Sequence, residues 1–482
     1  MVLTGVRRVV LSAASAALLA GPTVLAFFAG GYFEQPTLWA GLLACVLVAV
    51  AAVSVRSGVP RGRAAGLAIG GLAGLAGWTL LSTAWAPIKG DAYQAGQQVV
   101  LYTAVLIAAV LLLQARSAAR AVEPVLAAGT VAVIGYGLSE RLLPGVLHFA
   151  RSVSAEGRLE QPLTYWNAMG ELAAIGFVLC ARISGDAVRT RWERSLAAAA
   201  APALGLGLYL SFSRGALFAC VAGLVTLIVA APRREQLGAI GHAVLGAAVA
   251  SLVGSRLRGV TALAGSLGTR ERQGLIMLLV LVALAVVAAA VRWVLTRRER
   301  TAGLRLPAHA PWIALAVLVA GLAVAILVGN EESSRQAQSL SSGASRLVTL
   351  RSNRYAYLHV ALRAFGDEPL RGVGAGGWSV YWLRDRTVFE AARDAHSLPL
   401  QTAAELGVVG LALLAAFLAG VTLAAAHALR SAPVLAAGPV AAVVVYIAHA
   451  PLDWDWQMPA LTSVAVVLAG ALVAIGYGSQ LP

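Results

Sequence analysis

From Gly274 to Leu295 the chain reads GLIMLLVLVALAVVAAAVRWVL, with Arg292 its only charge. As a helix rising about 1.5 Å per residue, this run crosses a hydrocarbon core of about 30 Å, and a helix satisfies its own backbone there. Similar runs recur along the whole length, at 9–29, 38–55, 64–84, 98–114, 121–142, 166–183, 195–211, 215–231, 237–254, 311–329, 398–420, 432–450 and 458–476. The composition agrees: of 482 residues 59% are hydrophobic and 12% charged, against about a quarter charged in soluble domains. The expected fold class is all-α, a polytopic transmembrane bundle of about 12–14 spans with a large extracytoplasmic loop containing short helices. The segments are then 1–150 and 151–329 in the membrane, 330–397 as the loop, and 398–482 in the membrane again.

The formal charge of +15 invites a nucleic-acid reading, yet basic residues flanking membrane helices are expected from the positive-inside tendency alone. No nucleic-acid partner is therefore assigned; the partner read directly from composition is the lipid bilayer. Lys89 is the single lysine among 37 basic residues, so a preference for arginine cannot be taken as a sign of bidentate recognition. The apolar run from Val9 to Phe28, after Arg7 and Arg8, resembles a signal sequence but is long enough to span, and is expected to stay as a first helix. With a cytoplasmic N-terminus, the short loops holding Arg61 and Arg63, Arg116 and Arg120, Arg189 to Arg194, Arg233 and Arg234, and Arg297 to Arg305 all face inward. Cys45, Cys180 and Cys220 lie in apolar runs without paired or metal-like spacing, and read as core residues.

Four outward segments carry more than filler. Gly157 to Asn167 contains Arg158 and Asn167 beside Tyr165 and Trp166, which suit the interface belt. Ser211-Phe212-Ser213-Arg214-Gly215 is a tight turn that holds Arg214 near the membrane surface, where an ionisable group is a functional candidate. In the long loop, which also holds Arg335 and Arg346, Ser352 reads as the cap of a short helix from Asn353 to Phe365, with Leu358, Ala361, Leu362 and Phe365 as its apolar face. Arg351 and Arg354 stand at its start, where the helix dipole also favours an anion. The glycine-rich run Arg371 to Trp378 mimics a dinucleotide fingerprint without the strand that such a motif needs, and reads instead as a tight turn bringing N–H groups toward an anion. Asp394-Ala395-His396-Ser397-Leu398-Pro399 then opens a helix through Glu405 and Gly407, with Ser397 as cap and Pro399 in the first turn. This placement makes His396 a candidate general base, while His148, His242, His309, His359, His427 and His449 have weaker cases. The fourth segment, His449 to Pro459, sets Asp453 and Asp455 among Trp454 and Trp456, a pattern suited to orienting an arginine or binding sugar hydroxyls beside an aromatic face.

In this order and at these places among the spans, the segments resemble the O-antigen ligase and polymerase superfamily of bacterial membrane glycosyltransferases. The residues that carry the resemblance are Arg158 to Asn167, Ser211 to Gly215, Asn353-Arg354 with Tyr357, Pro369 to Gly374, and Ala395-His396-Ser397 followed by Glu405-Leu406-Gly407. The resemblance implies a helical fold of the C type of glycosyltransferase with its site on the outer side of the cytoplasmic membrane. It implies transfer of a glycan from a polyprenyl-diphosphate carrier to a glycan, lipid or protein hydroxyl, with inversion and with neither metal nor cofactor. It places His396 as the residue that activates the acceptor and Arg214 and Arg354 on the diphosphate, to which Arg158 is added. Asn167, Arg351, Arg371, Glu405 and Asp453 are supporting candidates. Ser397 stands where many members have Asn. The alternatives outside this reading are a transporter or flippase of lipid-linked glycans, which the absence of an internal repeat disfavours, and a scaffold for envelope assembly.

Overall fold

The computed structural model describes residues 2–55, 58–60, 62–150, 152–298, 354–386 and 391–478. The span expected at 311–329, together with Arg335, Arg346, Arg351 and Ser352, lies outside the described residues. All regular elements among them are helical: Val2–Ala26 (α1), Glu34–Ser54 (α2), Arg63–Leu81 (α3), Lys89–Leu112 (α4), Arg116–Leu142 (α5), Trp166–Gly185 (α6), Arg191–Leu210 (α7), Arg214–Ala230 (α8), Arg234–Arg256 (α9), Arg258–Thr261 (α10), Leu267–Arg298 (α11), Arg354–Asp367 (α12), Trp378–Asp385 (α13), Leu398–Ser431 (α14), Pro433–His449 (α15) and Pro459–Gly478 (α16). Each expected span that falls on described residues coincides with one of these helices. Among the described residues, 10 helices are long and apolar enough to cross a membrane, and α8 and α15 are shorter apolar helices. The protein is an all-α polytopic bundle.

The described residues form two compact units, one from residues 2–122, 354–436 and 449–478, the other from 123–298 and 437–448. In the first, α16 is buried and packs on α1, α4 and α14, while α3 lies along α14. Lipid tails are as apolar as leucine, so helices here are held by close backbone approach rather than by a drive to leave the solvent. Gly71 of α3 and Gly420 of α14 allow it: an added Cβ on Gly71 would stand 2.5 Å from the Phe417 nitrogen, and one on Gly420 2.3 Å from that of Ala68.

In the second unit α6 is buried along its length and α7, α8 and α9 pack on it. A capping box starts α7, with Thr190 and Glu193 each bonding the other's backbone. Beside it lies a buried ionic group in which Glu123 of α5 meets Arg189 at 3.0 Å and Arg182 at 3.8 Å, and Arg182 meets Asp186 at 3.3 Å. Cys180 and Cys220 are buried, as expected, but Cys45 is exposed on α2.

Candidate functional site

The structure sorts the four segments expected to face outward into two pairs, one in each unit. In the second unit, the Arg158 segment is tied to the Arg214 turn, because Leu159 N donates to Leu210 O at 2.9 Å. The turn is as tight as its length requires. Phe212 takes a positive φ of 48°, Ser211 Oγ accepts from Ser213 N at 3.2 Å, and Ser213 caps α8 by accepting from Ala216 N at 3.2 Å. Arg214 is thereby fixed as the first residue of α8. The Arg158 guanidinium lies 3.6 Å over the Trp166 ring and its Nε donates to Ala155 O at 2.8 Å. Asn167 is buried and donates to Tyr165 Oη at 2.7 Å. Tyr165 is buried too.

In the first unit the long loop and the Asp453 segment meet around His396. The short helix expected from Asn353 is α12, which begins at Arg354. Its buried face is Tyr357, Val360, Ala361 and Ala364; of the stripe expected at Leu358, Ala361, Leu362 and Phe365 only Ala361 belongs to it, and Leu362 is exposed. The cause is aromatic packing. Tyr357 meets Trp382 edge-on at 4.8 Å and Trp378 at 5.9 Å, and the two tryptophans stack at 5.6 Å. His396 lies on this cluster, stacked on Tyr357 at 4.8 Å with an interplanar angle of 22°, and Trp454 approaches it edge-on at 6.3 Å.

The backbone of His396 is held at φ 54°, outside the usual region for a residue with a side chain, so its surroundings must fix it. Gln401 does much of this. One turn into α14, its Oε1 accepts from Ala395 N at 3.2 Å and its Nε2 donates to Asp394 Oδ1 at 3.0 Å. Ser397 occupies the N-cap position and Pro399 lies in the first turn, but the Ser397 side chain makes no capping bond, a role that the sequence had given it. Burial pushes the Asp394 carboxyl above the ordinary range, while the Gln401 bond, the His396 ring and Arg393 pull it down and Asp453 adds to the rise. Asp453 is itself fully buried, with Oδ1 accepting from Trp454 N at 2.9 Å.

The glycine-rich run does not make an open anion nest. Helix α14 breaks at Gly407, where φ is 65° and ψ −162°, and the chain from Pro369 to Gly374 docks into the break. Val373 N donates to Ala404 O at 3.0 Å, Gly374 N to Glu405 O at 2.8 Å, and Val408 N donates back to Pro369 O at 2.9 Å. Trp78 Nε1 satisfies the third carbonyl, Leu406 O, at 3.0 Å. Non-helical backbone at membrane depth is tolerated when its polar groups are paired in this way. Gly372 is required for the approach, since a Cβ there would stand 2.2 Å from the Glu405 carbonyl carbon. The Gly376 and Trp378 N–H groups turn instead toward the protein's own Glu405 side chain. Arg371 pairs with Glu368 at 3.2 Å on the surface.

Beside His396 opens a cleft of about 310 Å3 between the turn into α2, the first turns of α4, the start of α13 and the start of α14. Tyr32, Asp91, Gln94, Gln98, Arg393, Asp394, Gln401 and Glu405 line it. Of these, Asp394 and Glu405 fall in the motifs quoted from the sequence. The others come from three stretches, Tyr32, 91–98 and 393–401, with no spacing to announce them, although the three glutamines lie on membrane helices and are a signal that could have been used.

Residues 259–415 match the family described as O-antigen ligase, so this stretch of the polytopic helical chain is similar to that family. The matched stretch contains Arg354, Arg371, His396 and Glu405, whereas Arg158, Asn167 and Arg214 precede it and Asp453 follows it. No curated protein matches the chain in sequence.

Proposed function

We propose that the protein is a glycosyltransferase of the C type that joins a glycan from a polyprenyl-diphosphate carrier to an acceptor hydroxyl, as ligase or polymerase, on the outer face of the cytoplasmic membrane. The observation that carries this is the state of the His396 ring. Its Nδ1 lies 2.8 Å from Asp394 O, and a carbonyl oxygen only accepts, so Nδ1 carries the hydrogen and Nε2 is the nitrogen able to take a proton.

In the proposed step the acceptor oxygen bonds to the anomeric carbon as that carbon's bond to the diphosphate oxygen breaks. The hydroxyl proton passes to His396 Nε2 and the electron pair of the broken bond leaves on the carrier diphosphate. One displacement inverts the anomeric centre. Negative charge grows on the leaving group, so fixed guanidiniums stabilise the transition state more than the ground state. Arg354 and Arg214 are assigned to that role with Arg158, and Arg351, Arg371, Asn167, Glu405 and Asp453 are assigned to support the site.

The test uses proteoliposomes containing only this protein, with a lipid-diphosphate glycan and a hydroxyl acceptor. A covalent product with inverted configuration is expected, and Arg354→Gln should lower its rate. Movement of the lipid-linked glycan across the bilayer without any covalent product would instead establish a transporter.

A further inference from the structure

We propose that the cleft beside His396 is a binding subsite for one ring of an uncharged sugar, and that it receives the acceptor; the second half of this statement rests on the glycosyltransferase reading. The cleft is at the small end of ligand pockets, which run from about 300 to 1,000 Å3. Asp91, Asp394 and Glu405 line it, and its guanidinium, Arg393, is paired with Asp91 at 3.6 Å. The guanidinium is engaged by that carboxylate, so the cleft offers little positive charge to the diphosphate of a donor. Nor is it built for a cation: among the described residues, these carboxylates do not converge as a group of three within 4.8 Å of one another.

What the cleft offers is a set of acceptors and amides suited to hydroxyls, each of which both donates and accepts. Glu405 is 6% exposed and its Oε1 has no hydrogen-bond partner in the protein. A buried carboxylate oxygen left without a donor is costly, and a hydroxyl reaching it removes that cost. Gln94 of α4 lines the same space with an amide that donates and accepts, whereas the Gln98 Nε2 already donates to Tyr102 Oη at 2.7 Å and Trp456 O at 2.6 Å. Tyr32 supplies an aromatic wall, and its ring meets Trp454 at 5.5 Å, the same tryptophan that abuts His396. Asp394 joins the cleft to the base directly, its side chain lining the one and its carbonyl holding the other.

The experiment is saturation-transfer NMR on the full chain in detergent, with methyl glycosides of glucose, galactose, mannose and rhamnose as probes and inorganic pyrophosphate and Mg2+ as competitors. At least one glycoside should bind wild type and His396→Ala alike. Its affinity should fall roughly fivefold in Glu405→Ala and in Gln94→Ala, as expected for a lost hydrogen bond. Gln94 is half-buried, so the second variant keeps the test valid if the first does not fold. Binding of none of the glycosides, equal binding by both cleft variants, or displacement by pyrophosphate or Mg2+ would overturn the proposal. Sugar binding without any glycosyl transfer would leave the subsite standing and remove the glycosyltransferase reading. Transfer whose acceptor KM is unchanged in both cleft variants would do the reverse.

Discussion

Replacing Gly407 by alanine should dismantle the break in α14 on which the arrangement around His396 rests. At φ 65° and ψ −162° this residue occupies a region essentially closed to side chains, and holding alanine there costs about 1–3 kcal/mol. An added Cβ would also stand 2.3 Å from Leu370 O, 2.5 Å from Leu370 C and 2.7 Å from Arg371 N. These are backbone atoms, which cannot swing aside as a side chain can. Displacing them stretches the bonds from Val408 N to Pro369 O and from Val373 N to Ala404 O, and overpacking of this kind typically costs another 1–3 kcal/mol, roughly. The sum, about 2–6 kcal/mol, is a large share of the 5–15 kcal/mol or so by which domains are stable. Gly77→Ala on α3 is the control, because an added Cβ there meets nothing within 4 Å. Denaturant titration of both variants in detergent measures the difference. If Gly407→Ala unfolds within about 0.5 kcal/mol of Gly77→Ala, as a neutral surface change would, the docking of the loop into the broken helix does not carry the stability assigned to it.

Tyr357→Ala removes the ring that joins His396 to the tryptophan pair and should cost about 3–5 kcal/mol, read by the same denaturant titration. The raised carboxyl of Asp394 has a definite consequence for pH: the folded state binds this proton more tightly than the unfolded chain, so its contribution is present below the ordinary carboxylate range and is lost as pH rises through the raised value. Thermal melts of wild type should therefore fall across that window relative to Asp394→Asn, which keeps an oxygen for Gln401; parallel curves would contradict this. Glu123→Ala removes one of the two carboxylates that Arg182 and Arg189 share, Asp186 remaining at 3.3 and 3.9 Å, and should destabilise by about 1–3 kcal/mol, read by the same titration.

The helical architecture was legible because lipid leaves the backbone so few choices; every apolar run that can be checked is a helix, down to the α3 and α9 runs with their many glycines and scattered polar residues. The tight Arg214 turn and the start of α14 were legible for a related reason, since Ser213 and Pro399 act locally. The burial of α12 was not, because its periodicity fits two adjacent stripes and Tyr357 is drawn to Trp378 and Trp382 by contacts far along the chain. The glycine-rich run likewise showed that backbone approaches something closely, but not that its partner is the Gly407 break. The cleft was least legible of all: Tyr32, Asp91 and Arg393 belong to three separate loops or helix starts, and only the packing of α2, α4 and α14 brings them to one place.

The central claim, that His396 Nε2 takes the acceptor proton, is tested most directly by turnover under donor and acceptor saturation in wild type, His396→Ala and His396→Gln. Loss of a general base lowers the rate by about 10²–10⁴-fold, and both variants should show it while still binding donor. Turnover at the wild-type rate in either folded variant would contradict the account.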